Sequence, residues 1–252
     1  MKLGGSVVTD KSSYRTPRLD SMARLASELA HAPQPLAIVH GAGSYGHVIA
    51  KEHELSGGDD GSAERRLAFA QVHADVRELT GLLLAALRDA GVPSVSHSTY
   101  DLARLDGGKL LSFHAPAIAE TLRAGFVPVL SGDGVLDASR GFGVLSGDVL
   151  MVELAKAFRP ERAVFATDVD GIFDRSPNVA GARLLTRIDA ATEVAAGDAP
   201  LRPDVTGSMH GKLARAREVA KWGTPVTIVN GLAPGRVADA LSGRDVIGTV
   251  VA

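Results

Sequence analysis

The sequence has no cysteine among its 252 residues, which excludes disulfides, thiolate metal ligands and cysteine nucleophiles. That composition suits a reducing compartment, and a cytoplasmic location is the expectation. It also lacks charge of one sign: 27 lysines and arginines are interspersed with 29 acidic residues, for a net charge of -2. The basic footprint of a nucleic-acid binder is absent, so the expected partners are small molecules. No apolar run approaches the roughly 18 to 20 residues that span a bilayer. The opening MKLGGSVVTDK has no signal-type apolar region, and no membrane partner is expected. Finally, G-x-x-x-x-G-K-[ST] is matched nowhere, so any nucleoside triphosphate has to be held by another arrangement.

What is present is a set of short apolar, β-branched runs bounded by turn residues. LAIVH (36–40), VPSVS (92–96), FVPVLSG (126–132), AVFATDVDG (163–171), PVTIVNG (225–231) and GTVVA (248–252) read as strands, several buried on both faces. Helical periodicity lies between them. Leu19, Met22, Leu25 and Leu29 mark one helix, and 63–90 a longer one with Leu67, Val72, Val76, Leu79, Leu83 and Leu87 on its apolar stripe. This alternation argues for a mainly parallel sheet covered by helices, an α/β fold. The long helix also offers a candidate dimer surface, and Val72, Val76 and Leu79 are either core or the lining of a pocket. LDASRGFGVLSGD (136–148) reads as a hairpin or flap, and 177–212 as a short strand with loops around a site.

Two glycine-rich loops stand out. In IVHGAGSYGHVIA (38–50), Gly41, Gly43 and Gly46 match G-x-G-x-x-G. A dinucleotide site also needs a strand ending in an acidic residue about 20 positions later. Asp59 and Asp60 fall near that range but in the glycine-rich SGGDDGS, so the dinucleotide reading fails its second demand. The second loop, KLGGS (2–6), puts Gly4, Gly5 and Ser6 directly after Lys2, where backbone N–H groups and an ammonium converge on one anion. Two loops suggest two phosphates. SGDG (131–134), TDVDG (167–171) and NG (230–231) follow predicted strands, at the ends where open α/β sheets bind ligands. Phosphoryl transfer needs cations where charge spreads in the transition state, and Lys2, Lys11 and Lys212, each beside or near a glycine loop, are the candidates.

KLGGSVVTDK, HGAGSYGH, SGD, TDVDGIF and DVTGSMHGK occur in this order from residue 2 to residue 212. Together they resemble the amino acid kinase superfamily and, within it, the isopentenyl phosphate kinases. The resemblance implies an open αβα sandwich in a single domain, with an acceptor-binding lobe over about 1–150 and a nucleotide-binding lobe over about 151–252. It implies a homodimer that uses ATP and Mg²⁺ to convert isopentenyl phosphate to the diphosphate, a step of isoprenoid biosynthesis by an alternative mevalonate route. By the same resemblance, Lys2, Leu3, Gly4, Gly5 and Ser6 hold the ATP phosphates, with Ala42, Asp168, Ser208 and Lys212 also on the nucleotide side. Lys11 stabilises the transferring phosphoryl group, and Asp148 orients the lysines. His47 hydrogen-bonds the acceptor phosphate, beside Gly41, Gly46 and Gly147. No side chain is assigned as a metal ligand. Two alternatives stay open: a kinase of the same fold acting on another small phosphate or phosphonate such as fosfomycin, and a non-catalytic nucleotide-binding regulator.

Overall fold

The computed structural model describes residues 1–189 and 209–252. The six apolar runs all supply strands to one sheet of eight. Its spatial order is Arg187–Ile188, Gly248–Val251, Val226–Asn230, Ala163–Thr167, Lys2–Leu3, Ile38–His40, Val127–Ser131 and Ser94–Ser96. From Val226–Asn230 to Ser94–Ser96 every pairing is parallel. Gly248–Val251 runs antiparallel to Val226–Asn230, and Arg187–Ile188 pairs parallel to it at the edge. The shortest of the central strands, Lys2–Leu3, is the pivot. Strands up to residue 131 lie on one side of it and those from residue 163 onward on the other, which makes its carboxyl end the switch point where open α/β sheets form a crevice.

Strand periodicity divides the core between the two faces. Ile38, Val129 and Val164 point to one face, where Leu25, Leu29, Leu79, Leu83, Leu87 and Leu241 pack on them. Their neighbours Val39, Leu130 and Phe165 point to the other, covered by Ile118, Leu150, Leu154, Leu213 and Val219. The result is the expected αβα sandwich. The covering helices include Leu19–Leu29, Ala63–Asp89, Gly147–Phe158 and Met209–Lys221. Ser62 caps the long helix by accepting from Arg65 N–H.

One residue of the expected stripe is misplaced. Leu67 is 71% exposed, because in that turn the smaller Ala68 takes the inward position against Ala50, Leu55 and Phe142. Val76 and Leu79, left between core and pocket by sequence, are core; Val72 packs in the same small cluster as Ala68 and also lines the main cavity. The 136–148 segment is a hairpin, with Asp133–Asp137 antiparallel to Gly141–Leu145. A second hairpin, Ala103–Asp106 with Lys109–Phe113, was not anticipated and extends it into a four-stranded sheet.

Leu83 is 1% exposed in the core against the sheet. Leu83→Ala is therefore expected to cost about 2 to 5 kcal/mol in urea unfolding. Leu67→Ala is expected to change stability by no more than about 0.5 kcal/mol; similar losses in the two variants would contradict the packing described.

Candidate functional site

Lys2–Leu3 and Ile38–His40 are paired in parallel, so the loops leaving their carboxyl ends start side by side. Gly41 N–H donates to Leu3 O at 2.9 Å. Beyond that bond the loops touch backbone to backbone. A Cβ on Gly5 would lie 2.6 Å from Gly43 N and Cα, and one on Gly41 would lie 2.7 Å from Gly5 N. Gly43 adopts φ +54°, a left-handed conformation that favours glycine, and rests against Thr9. The Thr9 hydroxyl donates to Gly5 O at 2.7 Å and accepts from Ser44 N–H at 2.9 Å, which ties the two loops together. The glycine spacing is thus a consequence of loop packing on loop. His40, at the end of its strand, is fully buried, with Nε2 2.8 Å from Thr80 Oγ1 on the long helix. Burial pushes its pKa down to about 4, so it is a neutral structural residue.

Around these loops opens a cavity of about 280 Å³ at the switch point. Lys2 enters from the central strand, and its Nζ lies 2.5 Å from Asp148 Oδ1. Lys212, in the first turn of Met209–Lys221, reaches the same oxygen at 3.4 Å. Room for Lys2 exists because residue 147 has no side chain: a Cβ there would lie 3.2 Å from Lys2 Cε and 3.0 Å from Val39 Cγ1. Ser146 caps the helix Gly147–Phe158, accepting from Asp148 N–H at 3.2 Å. Burial, and then the charge of Lys212, push Lys2 down to about 8 despite the pull of Asp148 in the other direction. Burial on its own would raise the Asp148 carboxyl, but the two ammonium groups outweigh it and hold it below the usual carboxylate range.

The cavity collects most of the residues singled out by sequence. Lys2, Gly4, Gly5, Ser6, Lys11, Gly41, Ala42, Gly46, His47, Gly147, Asp148, Asp168 and Lys212 all line it. Leu3 does not. Its side chain is fully buried in the core and only its carbonyl takes part, accepting from Gly41, because strand alternation turns residue 3 away from the face that Lys2 uses. Ser208 lies outside the described residues.

The lining also takes in Ala50 and Val144, which no sequence feature marked and which with the expected Val72 give part of the wall an apolar surface, and Gly132, Asp133 and Gly134 of the SGDG strand end. Gly134 is pressed against the Phe69 ring, which stacks on Phe142 at 4.5 Å. Asp133 is 3% exposed, with Oδ2 2.8 Å from His73 Nδ1. Burial raises the Asp133 carboxyl, and the hydrogen bond to it raises His73. The cluster SGDG signalled a polar strand end, but no sequence feature links Asp133 to a histidine 60 residues away.

Asp148→Asn would leave a buried ammonium, Lys2, and a partly buried one, Lys212, without their shared carboxylate. Breaking a buried pair from one side costs about 3 to 5 kcal/mol, and a loss near the lower figure is expected in denaturant titration at pH 7. The folded Asp148 carboxyl lies below its unfolded value of 3.8. Its contribution is therefore complete above that value and is lost as pH falls through the folded one. The gap between native protein and variant should begin to narrow below about pH 4 and close as pH falls through the lower folded value; a gap that does not narrow with falling pH would contradict the assignment.

Known proteins are similar to this chain over nearly its whole length. The family model described as the amino acid kinase family matches residues 1–230. Isopentenyl phosphate kinase of Methanothermobacter thermautotrophicus is 38% identical, over 99% of this chain and 97% of its own length. That of Thermoplasma acidophilum is 33% identical, over 100% and 98%. Among solved structures, one described as X-ray structures of isopentenyl phosphate kinase superposes with a TM-score of 0.87 at 35% identity, covering 99% of this chain and 98% of that one. On the family match over most of its length and on these full-length identities, the chain belongs to the amino acid kinase family and, within it, to the isopentenyl phosphate kinases.

Proposed function

We propose that the protein transfers the γ-phosphoryl group of ATP to isopentenyl phosphate, giving isopentenyl diphosphate and ADP. The observation that carries this reading is the lining of the cavity: two glycine loops and three lysines, together with the apolar surface of Ala50, Val72 and Val144. A phosphate acceptor with a short hydrocarbon tail matches both parts. The acceptor is an anion and a competent nucleophile at neutral pH, so no strong general base is needed. The difficulty lies in bringing two anions together, which is work for fixed cations and N–H donors.

In this reading the backbone of Lys2 to Ser6 and the Lys2 ammonium hold the ATP phosphates, with Ala42, Asp168, Ser208 and Lys212 on the nucleotide side. Leu3 contributes backbone only. Lys11 meets the transferring phosphoryl group. His47 donates to the acceptor phosphate, beside the N–H groups of Gly41, Gly46 and Gly147. Asp148 accepts from both Lys2 and Lys212, and so sets the spacing between the two cations. Mg²⁺ would enter with ATP and screen the phosphate charges. The same reading takes in a homodimer, a two-lobed division near residue 150, a cytoplasmic location and a place in isoprenoid biosynthesis by an alternative mevalonate route. Among the described residues no helix is long and apolar enough to cross a membrane.

A coupled ADP-release assay with MgATP is expected to show turnover of isopentenyl phosphate. Turnover of fosfomycin with none of isopentenyl phosphate would overturn the proposal. His47→Ala should raise KM for the acceptor or lower kcat by about 100-fold while the KM for ATP stays within about threefold; unchanged acceptor kinetics would remove His47 from the site. The depressed pKa of Lys2, about 8, carries a further expectation. Its cation is lost as pH rises through that value, so kcat/KM for ATP should fall on the alkaline side with a midpoint near 8. Bound phosphates favour the charged form, so the corresponding limb in kcat lies at higher pH. A flat kcat/KM profile between pH 7 and about 9.5 would contradict this role.

A further inference from the structure

Lys11 sits on the tip of a small hairpin, at the rim of the cavity. Thr9–Asp10 pairs antiparallel with Thr16–Pro17, and residues 11–15 form the turn between them. The base of the hairpin is well anchored: the Thr9 hydroxyl bonds Gly5 O, Thr16 N–H donates to Ser44 Oγ at 3.1 Å, and Arg18 Nε donates to Thr9 O at 3.0 Å. The tip is a different matter. Residues 11–15 are all exposed, so where the backbone of Lys11 stands depends on what fixes the turn.

The tip is tied down from outside. The Tyr14 hydroxyl donates to Asp75 on the long helix, and Asp75 Oδ1 also accepts from Gln71 Nε2 at 2.8 Å. Arg15 pairs with Glu78 one turn along, lies 3.6 Å from Asp75, and stands 5.9 Å over the Tyr45 ring. Its N–H reaches Ser44 O at 3.3 Å. Asp75 is 2% exposed, whereas the Arg15 and Glu78 side chains are 37% and 47% exposed. Exposed pairs of that kind contribute little, so the buried carboxylate is the anchor. Burial and Asp75 together push the Tyr14 phenol up to about 12, which keeps it a hydrogen-bond donor at neutral pH. Arg15 has φ +50°, a left-handed conformation that a non-glycine residue keeps only where its surroundings over-determine it.

The same stretch of helix serves the acceptor loop. Val72 lines the cavity, and Val72 and Val76 face Gly46, with Cγ atoms 3.8 and 3.6 Å from where a Cβ on that glycine would stand. One surface, from Gln71 to Glu78, thus carries both the loop that holds the acceptor and the tip that bears Lys11.

We propose that Asp75 is a positioning residue for phosphoryl transfer: by holding Tyr14 it latches the 11–15 turn to the long helix and fixes where the Lys11 ammonium sits. This rests on the assignment of Lys11 to the transferring phosphoryl group. A latch of this kind acts on geometry in the transition state, so its loss lowers kcat more than it raises either KM.

The test is Tyr14→Phe made in the native protein and in Lys11→Ala, with Asp75→Asn as a second variant. Tyr14 is at the surface, so its change to Phe leaves the core intact. In the native background kcat is expected to fall by about 10- to 100-fold, with both KM values within about twofold. In Lys11→Ala the same change is expected to have no further effect, since the latch acts only through that lysine. Equal losses in both backgrounds, or none in the native one, would overturn the proposal. Amide hydrogen exchange over residues 11–16 reads the latch without catalysis: faster exchange in Tyr14→Phe supports it, and unchanged exchange overturns it. Native kcat in Lys11→Ala would overturn the assignment of Lys11 instead, and the exchange measurement tells that failure from a failure of the latch.

Discussion

The close approach of two backbones is the constraint on which the site depends. Gly4–Gly5 and Gly41–Gly43 leave adjacent parallel strands and meet with no space for a side chain at Gly5 or Gly41. A side chain at either place would part the loops, and with them the donors that face the cavity. The Thr9 hydroxyl, bonded to Gly5 O and Ser44 N, is the clasp.

On this frame the charges are arranged by mutual restraint. Two lysines from opposite ends of the chain share one carboxylate oxygen. One carboxylate between two ammonium groups leaves a net positive charge that an anionic ligand complements, an arrangement expected of functional sites. The latch through Tyr14 and Asp75 extends the same logic to Lys11, whose hairpin lies outside the rigid core.

Much of this was legible in the sequence, and the rest was hidden for identifiable reasons. Strands such as 127–131 and 163–167 announce themselves because burial on both faces makes them continuously apolar. The glycine loops do so because only glycine tolerates the approach. Leu67 was assigned inward because periodicity fixes a stripe but not which of two adjacent apolar residues takes the inward place; the structure chose Ala68. Leu3 was carried into the site with its neighbours, although strand alternation turns its side chain into the core. The hairpin 103–113 has a turn signal in Asp106-Gly107-Gly108, but its strands lack the continuous apolar runs that mark those of the main sheet. The pairings of Lys2 with Asp148, His73 with Asp133 and Tyr14 with Asp75 join residues 146, 60 and 61 positions apart. No local pattern encodes such contacts; Lys2 stands out beside its glycine loop and Asp148 through resemblance, and the other two pairs emerge only through the fold.

The central claim is that both anions occupy one cavity and exchange the phosphoryl group directly, with no covalent intermediate on the protein. The most direct test follows the configuration of the transferred phosphorus, using ATP made chiral at its γ-phosphorus with oxygen isotopes and isopentenyl phosphate as acceptor. A single in-line displacement between two ligands held together inverts that centre, and inversion is the result predicted here. Retention would mean two successive displacements through a phosphorylated side chain, and would contradict the account.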